Sequence, residues 1–211
     1  MGRFSVETSL NNPAPAPQNG VPGNWPMVFP KETIGIERNG VIVNHSQPIL
    51  SAAQIEPVPW ALEGIRTMRL KGYKVVIFFN EPLITEGKVT QDIVDSTNNR
   101  LMEIFGQAGI LSIHGLLYST SNFKQDLYAL PNNGMIKKAE KEFGVSFKTG
   151  YFVGDKLYDL KAGDSVHSKP VLIRCGQYEE TLAKLDTFAN RELKKKVIIF
   201  NNLLEFANSL A

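Results

Sequence analysis

The sequence predicts an α/β domain: a parallel sheet with helices on both faces. Three observations lead there. From residue 33 onward, short runs rich in β-branched and aromatic residues alternate with helix-length amphipathic segments, the pattern of successive strand-helix-strand units. The run Lys74 to Phe79 is apolar almost throughout, as in a strand covered on both faces. Gly72, Gly109 and Gly144 each follow a predicted helix, where a left-handed residue ends it cheaply.

In chain order, residues 1–32 read as an extended arm, because six of the 12 prolines fall there (Pro13, Pro15, Pro17, Pro22, Pro26, Pro30) without helical or strand period. Trp25, Met27, Val28 and Phe29 are its candidate apolar anchors for other protein subunits. Residues 33–211 form the domain. Thr33 to Ile36 is a strand, Glu37-Arg38-Asn39-Gly40 a turn, and Val41 to Val43 a second extended piece. Pro59 sits in the first turn of a helix whose Leu62, Ile65, Met68 and Arg69 share a face. After the Lys74 to Phe79 strand, Thr90 to Ala108 is a long helix with Ile93, Leu101, Ile104 and Phe105 inward. Gly115 to Tyr118 is a strand, Asn132 to Phe143 a helix, and Gly150 to Val153 a strand meeting Gly154-Asp155 and a short helix from Lys156. Strands at Pro170 to Ile173 and Val197 to Phe200, with helices at Glu179 to Phe188 and Leu203 to Leu210, complete the pattern.

Composition excludes several classes of function. Lys+Arg 23 against Asp+Glu 21 gives a net charge of +2, too balanced for a surface built as a whole to hold a polyanion. Cys175 is the single cysteine, so no internal disulfide forms, and its spacing from His45, His114 and His167 matches no zinc site. No apolar run approaches the roughly 18 residues of a membrane span, and the N-terminus lacks secretory order. Arg3 is the arm's only arginine, which argues against a transit peptide. An intracellular location is expected, with cytosol and mitochondrial matrix both left open.

In such a sheet, ligands bind beyond the carboxyl ends of the strands. That places Glu37, Asn39, Asn80, Glu81, Ser119 to Ser121, Asp155 and Asp159 where chemistry is to be sought. Asp155 and Asp159 lie four apart at a strand-to-helix turn, an acidic pair suited to Mg²⁺ or, equally, to capping the helix.

Val153-Gly154-Asp155-Lys156-Leu157-Tyr158-Asp159-Leu160-Lys161-Ala162-Gly163 resembles the fourth motif of the haloacid dehalogenase (HAD) superfamily, in its small capless phosphatases of heptose bisphosphate and histidinol phosphate. Glu37-Arg38-Asn39-Gly40-Val41-Ile42 stands where their first motif reads Asp-Arg-Asp-Gly-Val-Ile. Phe79-Asn80-Glu81 stands for Thr-Asn-Gln, and Leu130-Pro131-Asn132-Asn133-Gly134-Met135 for Lys-Pro-x-Pro-Gly-Met. The likeness runs from about residue 33 to the end and implies a HAD-like, Rossmann-like sheet without a sizeable cap domain.

The departures fall on the groups that carry the family's chemistry. Its first aspartate attacks phosphorus; Glu37 stands there, and a shift of roughly 1 Å can cost on the order of 100-fold. Its second aspartate moves protons, worth about 100 to 10,000-fold, which the amide of Asn39 cannot do. Phe79 replaces a phosphate-binding hydroxyl, and Leu130 a charge-neutralising lysine. The family's cysteine and histidine zinc loop has no counterpart after Ser119-Thr120-Ser121, so no zinc is expected.

The sequence therefore reads as a non-catalytic HAD-like subunit of a larger protein or ribonucleoprotein assembly. Glu37, Asn39, Phe79, Asn80 and Leu130 are its vestigial positions, and no cofactor is expected. The alternatives are a Mg²⁺-dependent phosphatase of a small metabolite, or a sensor that binds a phosphate ester without hydrolysing it. A residual Mg²⁺ site would use Glu37, Asp155 and Asp159; otherwise Asp155 and Asn80 hold the loops above the sheet. Lys156 is read as solvated at its helix start, the alternative being an inward turn that supplies positive charge. Glu81 and the histidines read as surface or loop groups. Lys194 to Lys196 and Lys137, Lys138 and Lys141 read as solvated faces, with RNA contact the alternative.

Overall fold

The computed structural model describes residues 2–4, 31–121 and 123–211. The strands are β1 (Gly2–Phe4), β2 (Thr33–Glu37), β3 (Lys74–Asn80), β4 (Gly115–Ser119), β5 (Tyr151–Gly154), β6 (Lys169–Ile173) and β7 (Ile198–Phe200). The helices are α1 (Ala61–Leu70), α2 (Gln91–Gln107), α3 (Gly134–Phe143), α4 (Leu157–Ser165), α5 (Tyr178–Leu185), α6 (Arg191–Lys194) and α7 (Leu203–Ser209).

The sheet order is β1-β4-β3-β2-β5-β6-β7. From β4 to β7 every pairing is parallel, while β1 joins β4 antiparallel. Residues 2–4 of the expected arm thus belong to the sheet. The proposed anchors Trp25, Met27, Val28 and Phe29 lie outside the described residues.

Alternation along β3 sorts the core into two layers, because successive side chains leave a strand on opposite faces. Val75, Ile77 and Phe79 join Ile65 and Met68 of α1, Leu101 and Phe105 of α2 and Phe206 of α7. Val76 and Phe78 join Phe147, Phe152 and the α3 residues Met135, Ile136 and Ala139. On that second side Phe78 stacks with Phe152 at 5.4 Å and meets Phe147 edge-on at 5.5 Å, favoured ring arrangements. Leu160 and Leu172 extend the same layer to Leu185 of α5 and Leu193 of α6. Helices therefore cover both faces, as predicted, and among the described residues no cap domain stands over the strand ends.

Several boundaries differ from expectation. Val41 and Ile42 are buried but form a turn, because the amides of Ile42 and Val43 both fold back onto the carbonyl of Arg38 (3.0 and 2.9 Å), and of the expected extended piece only Val43 makes isolated bridges, to Asn39 and Pro57. Pro59 precedes the N-cap Trp60 instead of lying within α1. On α2 the buried stripe is Val94, Thr97, Asn98, Leu101 and Phe105, while Ile93 and Ile104 are only partly covered. Thr90 caps that helix, its hydroxyl accepting from the Ile93 amide at 3.3 Å, as a threonine N-cap should. No helix among the described residues is long and apolar enough to cross a membrane.

Candidate functional site

From β2 the chain runs to β3 and β4 on one side, then returns to place β5 on the other. The carboxyl ends of β2 and β5 thus flank the point where strand order reverses, where a crevice opens in such sheets. Glu37 closes β2 there and Asp155 follows β5. The two are buried, at 1% and 0% exposure.

Two glycines make room for Asp155. Gly40 has φ +107°, and a Cβ on it would lie 2.5 Å from Asp155 Oδ2; Gly176 has φ +51°, and its Cβ would lie 2.0 Å from the same oxygen. Any other residue at either position meets both a left-handed backbone and this carboxylate. The carboxylate is also fixed from α5, since the Gln177 amide donates to Oδ2 at 2.8 Å.

Lys156 turns inward. Its exposure is 6%, and its ammonium donates to Asp155 Oδ1 at 2.9 Å, to Glu37 Oε1 at 3.5 Å and to the Asn39 carbonyl. The expectation of a solvated lysine is corrected: buried acidic groups at this junction supply partners that water would otherwise provide. Asp159 sits one helical turn on and accepts from the Lys156 amide through Oδ2 at 3.1 Å. Glu37 Oε2 and Asp159 Oδ1 are buried without a hydrogen-bond partner.

Burial and charge shape the electrostatics together. Glu37, Asp155, Asp159 and Glu81 share the buried strand-end layer with the cations Arg38 and Lys156, so acidic groups outnumber basic ones. Burial pushes Glu37 up to about 7 against the opposing pull of Lys156. Burial, then Glu37, raises Asp159 well above the carboxylate range. Burial alone would lower Lys156, but Glu37, Asp159 and Asp155 outweigh it and hold the ammonium charged.

The other side of the crevice is built on rings and amides. Arg38, fully buried, lies over the Phe79 ring with its guanidinium carbon 3.4 Å from the centroid, a desolvated cation-π contact. It donates to Asn39 Oδ1 at 2.8 Å, Asn98 Oδ1 at 2.5 Å and Thr97 Oγ1 at 3.2 Å, and meets Glu81 Oε2 at 3.4 Å. Glu81 is thus a buried ion-pair partner at 2% exposure, not a surface group. Phe79 also stacks on Tyr118 at 5.1 Å. Asn80 donates to the Leu130 carbonyl and accepts from the Leu130 amide, both at 3.0 Å. Its side chain thereby ties the β3 end to the loop before α3.

That loop is pinned by side-chain bonds. Asp126 accepts from the Ser119 hydroxyl at 3.2 Å and the Tyr128 amide at 2.9 Å, while Asn132 donates to the carbonyls of Lys124 and Asp126 at 2.8 and 2.9 Å. Short polar side chains of this kind stabilise irregular backbone.

A cavity of about 650 Å³ opens beside Lys156, lined among others by Asn39, His45, Glu56, Asp155, Cys175 and Gln177. Sequence reasoning missed His45 as a lining residue; Nδ1 of its ring is buried without a partner. Burial first, then Lys156 and Arg38, lowers its pKa. Burial and Asp155 push the Cys175 thiol up to about 12, which leaves it a poor nucleophile.

The trio expected of a residual Mg²⁺ site, Glu37, Asp155 and Asp159, is brought together at the ends of β2 and β5. Glu37 Oε1, Asp155 Oδ1 and the Asn39 carbonyl have the hard-oxygen character that Mg²⁺ prefers, but all three converge on the Lys156 ammonium. Asp159 turns Oδ2 to the Lys156 amide, while its Oδ1 has no hydrogen-bond partner. As placed, the three oxygens are taken by the Lys156 ammonium, and no group of three or more acidic, histidine or cysteine side chains among the described residues is arranged to hold a metal ion.

Residues 128–205 match the HAD-hydrolase-like family model. D-glycero-beta-D-manno-heptose-1,7-bisphosphate 7-phosphatase of Pseudomonas aeruginosa is 26% identical over 178 residues, covering 83% of this chain and 95% of that protein. The enzyme of the same name from Neisseria meningitidis serogroup A is 25% identical over 174 residues, covering 82% and 90%. Among solved structures, D,D-heptose 1,7-bisphosphate phosphatase from B. bronchiseptica, complexed with magnesium and phosphate, aligns with a TM-score of 0.74 at 19% identity, covering 84% of this chain and 97% of that one. Its counterpart from Burkholderia thailandensis aligns at 0.63 with 22% identity and the same coverage.

Proposed function

We propose that this HAD-like protein, related to D,D-heptose 1,7-bisphosphate phosphatase, is a non-catalytic structural or interaction subunit of a larger protein or ribonucleoprotein assembly. The observation that carries the reading is the state of Asn39. Its side chain has no titratable proton, its amide oxygen is taken by Arg38 and its carbonyl by Lys156. Hydrolysis of a phosphate ester needs a group that protonates the leaving oxygen and then activates water, and Asn39 does neither. Phe79 beneath the Arg38 guanidinium and the buried Leu130 offer phosphate no donor from their side chains. Contact with other subunits through residues 1–32, RNA contact through the lysine faces, and residence in the cytosol or mitochondrial matrix belong to the same proposal.

The test has two parts. Purified protein with Mg²⁺ should release no phosphate from p-nitrophenyl phosphate or from heptose 1,7-bisphosphate above a Glu37→Ala control. Tagged protein isolated gently from its own cells should carry a stoichiometric set of companions. Turnover that vanishes in Glu37→Ala defeats the proposal.

One observation favours a second reading, a phosphatase of a small phosphorylated metabolite. His45 lines the cavity with an unpartnered ring nitrogen, and an imidazole there would supply the proton transfer that Asn39 lacks. The heptose bisphosphatase relatives support the same idea. Phosphate release that survives Asn39→Ala but not His45→Ala would decide for it.

A further inference from the structure

We infer that the Lys156 ammonium is the resident cation of this strand-end site and that it keeps a divalent cation out. The inference rests on the non-catalytic reading above and extends it to metal binding.

Glu37 Oε1, Asp155 Oδ1 and the Asn39 carbonyl come from the ends of two neighbouring strands and the turn after one of them, and all contact one nitrogen. A Mg²⁺ ion needs inner-shell oxygens at about 2.0 to 2.1 Å in near-octahedral array. Bound to these oxygens it would lie about 3 Å or less from the ammonium, where two positive charges repel strongly in a desolvated layer. Asp155 cannot offer a different oxygen. Its Oδ2 accepts from Gln177 and is hemmed in by Gly40 and Gly176. The ammonium is held where it is by its three oxygen partners, although its side chain, 7% exposed, borders the cavity. The glutamate at position 37 fits the same account: its longer side chain reaches an ammonium, whose hydrogen bonds tolerate 2.9 to 3.5 Å here, with no demand for close octahedral ligation.

Removing the ammonium should open the site. Two carboxylates and a carbonyl, completed by water, form an ordinary Mg²⁺ donor set. The probes are Mn²⁺ by electron paramagnetic resonance and Mg²⁺ by its effect on thermal unfolding. Wild type should bind no Mn²⁺ at this site and show the same melting temperature with and without millimolar Mg²⁺. Lys156→Ala should bind about one Mn²⁺, be stabilised or refolded by Mg²⁺, and lose both responses when combined with Asp155→Asn. Lys156→Met, which removes the charge and keeps most of the side-chain volume, should also bind Mn²⁺, more weakly than Lys156→Ala.

Two results would overturn the inference. One is stoichiometric Mn²⁺ on the wild type that disappears in Asp155→Asn. The other is a Lys156→Ala protein that, folded or not, neither binds Mn²⁺ nor responds to Mg²⁺. Failure of the parent reading looks different: phosphate release by wild type defeats the non-catalytic proposal, whereas Mn²⁺ bound without turnover defeats only the cation assignment.

Discussion

The carboxyl ends of β2 and β5 are held together by charge, whereas those of β3 and β4, a few residues away on the same rim, are held by rings and amides. In the first half Lys156 joins Glu37 and Asp155. In the second Phe79 stacks on Tyr118 and Asn80 clasps the backbone of Leu130. Arg38 bridges them, with Asn39 and Glu81 as partners and Phe79 beneath its plane. The difference teaches that a ligand-binding rim can be sealed in two ways. A charged seal fails by leaving an unpaired ion; a neutral one fails by losing contacts.

Truncating each half should therefore cost different amounts. Lys156→Ala in chelator should lose about 3 to 5 kcal/mol in urea unfolding, the usual result of stranding one side of a buried ion pair. A loss below about 1 kcal/mol would mean that protonation of Glu37 and Asp159 absorbs the missing charge. Asn80→Ala leaves two backbone groups of Leu130 unpaired and should cost about 2 to 3 kcal/mol. Asn80→Asp, which keeps only the bond from the Leu130 amide, should fall between it and the wild type. Gly176→Ala tests the packing behind the charged half: a left-handed alanine pressed on Asp155 should cost about 1 to 3 kcal/mol, and a silent substitution would show that Asp155 can move.

Acid stability offers a control distant from both halves. His114 lies at the opposite end of the sheet, where its Nδ1 accepts from the Val75 amide at 3.3 Å. Burial, then Arg69 and Lys74, lowers its pKa from 6.5 to about 4. Between these values the unfolded chain binds more protons, so this contribution is present above pH 6.5 and is lost as pH falls toward 4. Its size should be on the order of 1 kcal/mol after solvent screening, and His114→Gln should flatten that part of the profile. The smallest effect belongs to the surface. Lys194→Ala breaks an exposed pair with Asp186 and should change stability by less than about 0.5 kcal/mol.

The alternation of strands and helices was legible because burial on both faces leaves a continuous apolar run, and Lys74 to Phe79 shows it plainly. Val41 to Val43 misled for the same reason. Apolar β-branched residues report burial, and only the hydrogen bonds from Ile42 and Val43 to Arg38 reveal a turn. The stripe on α2 held a usable signal, since Thr97 and Asn98 lie on the face that carries Leu101 and Phe105. Polar residues there imply a buried partner, and Arg38 is that partner. The positions of Glu37, Asn39, Asn80 and Asp155 at strand ends could be read from motif order. The inward turn of Lys156 could not, because a lysine at a helix start faces water unless distant residues converge on it. The cavity edge at His45 was equally hidden, as it depends on how the chain packs between β2 and α1.

Among the described residues the outermost strands of the sheet are β1, which pairs with β4 alone, and β7, where Ile198 and Ile199 are 41% and 40% exposed. Unpaired backbone along such a border can template another strand, and here Lys194, Lys195 and Lys196 stand just ahead of it. Charged residues beside an edge strand discourage such pairing, so these lysines guard the border that β7 leaves exposed.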